Sequence, residues 1–84
     1  MMAHVDAMNP PDEKWQARAK GILKAELARR HVSYRELAER LGAIGWKDNE
    51  RNIANKLSRG TFTAAFFVAC LDAIGCKTLR LDDE

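Results

Sequence analysis

The sequence predicts an all-α fold, a compact four- to five-helix bundle, and three observations carry that prediction. Ala, Leu, Glu, Lys and Arg dominate the middle of the chain, while residues with strong strand preference are few, which favours helix throughout. Apolar residues recur there three and four apart, the period of one helical face. Ser33 with Glu36 has the form of a capping box: the Ser33 hydroxyl accepts from the Glu36 N–H and the Glu36 carboxylate returns to that of Ser33. At 84 residues, 46% apolar and 31% charged, the chain has room for one domain and one small core.

In order along the chain, residues 1–9 show no sustained period and read as a flexible N-terminal arm. Asn9 is placed to cap a first helix, Pro10 has the φ of a first helical position, and Asp12 and Glu13 sit at the positive dipole end. This helix is expected to reach about Arg30, with Trp15, Ala19, Ile22, Leu23 and Leu27 as its apolar stripe. The second helix begins at Ser33, presents Tyr34, Leu37, Ala38 and Leu41 inward, and is expected to end with Gly42 in the left-handed conformation.

A joining segment, residues 43–48, carries Gly45 and Trp46, and Trp46 is expected to pin it to the core. Asp48 or Asn49 caps a third helix with Ile53, Ala54 and Leu57 inside, closed by Gly60, and Thr61 or Thr63 caps the fourth. The fourth helix, about residues 63–74, is apolar nearly all round, so it is either central or shared with a partner. Phe66, Phe67 and Val68 are the candidate dimer surface. Residues 78–81 alternate and suggest a short strand, and residues 82–84 form an acidic tail. The helical domain spans 10–81, with no internal repeat expected.

Composition argues against several functions. His4 and His31 have no serine, cysteine or carboxylate spaced for a triad, and metal-ligand spacings and glycine-rich phosphate loops are absent. The expectation is a protein that is not an enzyme, with no cofactor, metal or small-molecule substrate. Two cysteines make no disulfide framework, and no stretch approaches the ~20 apolar residues of a membrane span. A cytoplasmic setting without membrane is expected.

Charge is more informative when divided. The net +2 resolves into −3 over residues 1–13, +7 over 14–60 and −2 over 61–84, so positive charge is concentrated where a phosphate-attracting surface would have it. On the third helix Asn52, Asn55, Lys56 and Arg59 lie three and four apart and share a face. Asn can pair with adenine N6 and N7, Arg or Lys with guanine O6 and N7, and either cation with phosphate. Arg51, Asn52, Asn55 and Lys56 are the candidates for base edges; Arg35, Lys47, Arg59 and Thr61 are those for phosphates. The competing reading is a solvated helix face.

Ser33-Tyr34-Arg35-Glu36-Leu37-Ala38-Glu39-Arg40-Leu41-Gly42, Leu57-Ser58-Arg59-Gly60 and the run from Phe67 to Gly75 together resemble the lambda-repressor-like, Cro/XRE-type helix-turn-helix domain. The wording is also similar to a small bacterial family of no established activity. The resemblance covers roughly residues 15–76. It implies an all-helical bundle, a transcription regulator binding double-stranded DNA through the third helix, and a homodimer on palindromic sites. Two features depart from it: residues 43–48 lengthen the turn between the second and third helices, and Tyr34 stands where the family commonly has glutamine. The alternatives are a helical protein-interaction module that kept the fold without DNA binding, and RNA binding through the same basic face.

Overall fold

The protein is described by a computed structural model over residues 10–81. Four α-helices follow one another: α1 (Pro10–Arg29), α2 (Tyr34–Ala43), α3 (Glu50–Arg59) and α4 (Ala64–Ala73). Among the described residues there is no strand, and residues 78–81, where a short strand was expected, are irregular chain ending in a bend. The expected arm, the Asn9 cap and the acidic tail lie outside the described residues.

Each of the last three helices starts at a side-chain cap. Ser33 Oγ accepts from Glu36 N at 3.1 Å, Asn49 Oδ1 from Asn52 N at 2.8 Å and Thr63 Oγ1 from Phe66 N at 3.0 Å. These bonds satisfy amide groups that have no partner inside the helix. The Glu36 carboxylate accepts from Arg40 Nε and Nη2, so one half of the expected capping box forms and the other is replaced by an i,i+4 ion pair.

Three helices end in the same way. Trp46 N donates to Leu41 O and Gly45 N to Gly42 O; Cys76 N donates to Leu71 O and Gly75 N to Asp72 O; Val32 N donates to Leu27 O and His31 N to Ala28 O. This is the Schellman pattern, which requires one left-handed residue. Gly45, Gly75 and His31 supply it with φ of 92°, 80° and 57°. Gly42, expected to end α2, instead lies inside it. The deciding feature is the apolar residue after Gly45: Trp46 folds back beside Leu41 in the core.

Leu23, Leu27, Val32, Leu37, Leu41, Ile53, Leu57, Phe66, Cys70 and Ile74 form one buried cluster. It lies where α1 and α2 each pack on both α3 and α4. Trp46 joins it, 5.9 Å from the Phe66 ring. Trp15 does not, being 57% exposed. The apolar stripe of α1 reaches the core only from Leu23 onward, and Trp15 lies two turns earlier, in an outer recess with Ala19, Ile22, Phe67 and Leu81. Phe62 stacks on Phe67 with ring planes 7° apart, a hydrophobic staple across the start of α4.

An internal repeat appears once the helices are aligned. Leu41-Gly42-Ala43-Ile44-Gly45-Trp46-Lys47 and Leu71-Asp72-Ala73-Ile74-Gly75-Cys76-Lys77 share five of seven residues, thirty positions apart. The same offset relates Ser33 to Thr63, α2 to α4, and the core residues Leu23 and Leu27 to Ile53 and Leu57. Two like helix pairs, α1–α2 and α3–α4, therefore build the domain. The lengthened turn read from sequence at residues 43–48 falls, shifted by one, on residues 44–49, which are the joint between them.

Candidate nucleic-acid interface

The capping of α3 by Asn49 and its burial through Ile53 and Leu57 decide what the helix exposes. Arg51, Asn52, Asn55 and Arg59 are exposed, as is Thr61 beyond the helix. Asn52, Asn55, Lys56, Arg59 and Thr61 line one shallow concavity of about 230 Å³. No carboxylate lines it, so nothing in the cleft itself opposes an anion. Arg51, Lys47 and Arg35 are exposed but lie outside this concavity. The cap of α4 falls to Thr63, and Thr61 lines the cleft.

Lys56 is placed differently from the other four. It lines the concavity, and its ammonium donates to Asp48 Oδ2 at 2.7 Å and lies over the Phe66 ring at 4.6 Å and the Trp46 ring at 5.9 Å. Asp48, whose side chain is only 5% exposed, also accepts from the Asn49 N–H at 3.0 Å. Burial works against its charged form, but the Lys56 bond, the Asn49 N–H, the Lys56 charge and, least, the Asn52 side chain outweigh burial and hold the carboxyl below its usual range. Asp48 was a possible α3 cap from sequence; it is the acceptor for Lys56 instead. A spacing of eight residues across a turn has no periodic signature, which is why periodicity misses the pair.

The rear of α3 is held by α1. Gly60 has φ 72°, and a Cβ there would stand 2.8 Å from Gln16 O. Lys20 Nζ donates to Ser58 O at 3.0 Å, placing a cation at the negative end of the α3 dipole. These contacts, also unread from sequence, fix the end of α3 against α1.

Of the candidate dimer residues, Phe66 is 1% exposed and belongs to the core. Phe67 is half-buried, and Val68 is 62% exposed. Cys70 is buried, and burial pushes its thiol up to about 12, so it is a core residue without thiolate character. Among the described residues no group of His, Cys, Asp and Glu is arranged to hold a metal ion, and no helix is long and apolar enough to cross a membrane.

Residues 15–79 match the model of a family described as Domain of unknown function (DUF6471), and that description assigns no activity. Neither a curated protein nor a solved structure matches the chain.

Proposed function

For this chain, which belongs to the DUF6471 family, we propose double-stranded DNA binding as a cytoplasmic transcription regulator, a binding protein and not an enzyme. The observation that carries the reading is the convergence of Asn52, Asn55, Arg59 and Thr61 on one exposed concavity that no carboxylate lines. Amides and a guanidinium on one face of a capped ten-residue helix match what base edges and phosphates require. In this reading α3 enters the major groove. Arg51, Asn52 and Asn55 meet base edges, and Arg59 and Thr61 hold a phosphate, with Arg35 and Lys47 on the flanks. The order of capped helices supports a lambda-repressor-like arrangement. Exposed Val68 and the apolar recess of Trp15, Phe67 and Leu81 support a homodimer, which would have to set two α3 helices about 34 Å apart on one face.

Titration of the full chain against mixed-sequence duplex DNA at low salt tests the reading. Binding should fall steeply as salt rises. Arg59→Gln should weaken binding similarly on every sequence and lower the salt slope by about one, whereas Asn55→Ala should alter sequence preference. No binding to duplex DNA at low salt sinks the proposal. Preference for duplex RNA or single strands would transfer the same face to RNA. Acidic substitution of Asn55 and Lys56 together that leaves function intact would favour a protein-interaction module.

A further inference from the structure

Lys56 lies on the helix assigned to DNA, yet its charge is already engaged. Its ammonium is bonded to the nearly buried Asp48 carboxylate and lies over the Phe66 and Trp46 rings, although the Lys56 side chain as a whole is 38% exposed. Asp48 and Trp46 both belong to the joint between the two helix pairs, and Phe66 belongs to α4. The four side chains therefore tie together the joint, α3 and the core at one point. Resting on the DNA-binding reading above, we infer that Lys56 and Asp48 form a latch that positions α3 for the groove, and that Lys56 itself touches neither base nor phosphate.

The physical argument is one of competition. For Lys56 to reach a phosphate, it must leave a charge-assisted bond and two aromatic faces, and Asp48, whose side chain is 5% exposed, would keep the Asn49 N–H but lose its counter-charge. An uncompensated buried charge is strongly unfavourable. The exposed cations Arg51 and Arg59 meet no such penalty. The latch also explains how a joint of six residues holds α3 at a fixed angle: Gly45 turns the chain, Trp46 anchors it, and Asp48 grips the helix two turns in.

The two roles predict opposite signs for one substitution. Asp48→Asn removes a negative charge near an approaching polyanion, so simple electrostatics predicts tighter DNA binding. A positioning latch predicts weaker binding. The experiment measures duplex affinity across a series of salt concentrations for the full chain carrying Asp48→Asn, Lys56→Gln, both together, or Lys56→Arg, with circular dichroism verifying that each is folded. The expected result is that Asp48→Asn and Lys56→Gln each weaken binding by roughly tenfold. The double variant should be no weaker than either single one. The salt slope should stay that of the native chain, because Lys56 releases no counterion, and Lys56→Arg should restore most of the affinity.

The inference is overturned if Lys56→Gln lowers the salt slope by about one while Asp48→Asn binds as well as the native chain or better. Failure of the native chain to bind any duplex would sink the DNA reading separately. The latch is then judged in a Trp15→Phe background, where Trp46 is the remaining indole. Coincident red shifts of Trp46 emission in Asp48→Asn and Lys56→Gln support it as a structural clasp, and unchanged emission in both overturns it.

Discussion

The two helix pairs share a frame and differ in what they place on it. α1–α2 and α3–α4 have core leucines or isoleucine at matching positions, a hydroxyl cap before each second helix and the same Schellman ending. The pairs also grip each other reciprocally. Trp46, leaving the first pair, lies beneath Lys56 of α3; Cys76, its counterpart leaving the second, has its Sγ 3.8 Å from Glu26 of α1. Glu26 and Lys56 are themselves counterparts, thirty positions apart and opposite in charge. Half-buried Ile22 and exposed Ala25 of α1 correspond, thirty positions on, to exposed Asn52 and Asn55 of α3. One helix of a repeated scaffold thus carries amides where its twin carries alkyl groups.

The sharpest break in the comparison lies between Glu36 and Phe66, which occupy equivalent places in α2 and α4. Phe66 is 1% exposed, in contact with Trp46, Phe62 and the Lys56 ammonium. Its truncation leaves a cavity beneath the latch. Phe66→Ala is expected to lose about 4 kcal/mol in urea unfolding. Glu36→Ala, which removes a surface pair with Arg40, should cost about 0.5 kcal/mol or less. Similar losses at the two positions would mean that the pairs do not divide core and surface as described.

Glycines provide the next test. Gly60 and Gly75 both have left-handed φ, but only Gly60 has a neighbour where a Cβ would stand, the backbone oxygen of Gln16 at 2.8 Å. Gly75→Ala meets open space and should cost about 1 kcal/mol for the conformation alone. Gly60→Ala must in addition push α1 from α3, raising the expected loss to about 3 kcal/mol. Equal losses in chemical denaturation would show that α1 does not press on the end of α3.

How much of this was legible in the sequence depends on distance along the chain. The caps at Ser33, Asn49 and Thr63, the inward faces of α2 and α3, and the exposed amides of α3 are local signals, read within one or two turns. Gly42 misled because the first glycine after a periodic run looks like an ending, whereas the ending is decided three residues later by Gly45 and the apolar Trp46. Trp15 misled because a stripe on a 20-residue helix outruns a small core. The Asp48–Lys56 pair and the approach of Gln16 to Gly60 depend on three-dimensional closure, and no spacing announces them. The seven-residue recurrence at Leu41 and Leu71 was available in the sequence and would have identified residues 44–49 as a joint between repeats.

The ionic counterpart of the latch provides a further test, smaller than the Phe66 and Gly60 losses. Glu26 is buried on α1, and its carboxylate accepts from Arg29 and Arg30 and faces the Cys76 thiol. Burial alone would raise its pKa, but the bonds from Arg30 and Arg29, together with their charges, hold it below its usual value. A carboxyl with a depressed folded pKa stabilises the fold above its unfolded pKa, near 4.3. That contribution is lost as pH falls through the folded value. Glu26→Gln should therefore cost about 1.5 kcal/mol at neutral pH. The cost stays modest because the Arg29 side chain is 57% exposed and Arg30 30%, so both guanidiniums can regain water. The deficit relative to the native chain should shrink below about pH 4, because the native carboxylate is then being protonated as well. Urea unfolding of both chains between neutral pH and about pH 3 measures the difference. A deficit that stays constant over that range would mean that Glu26 contributes through its shape and not its charge, leaving Lys56 as the only one of the two counterparts whose ion pair matters to the fold.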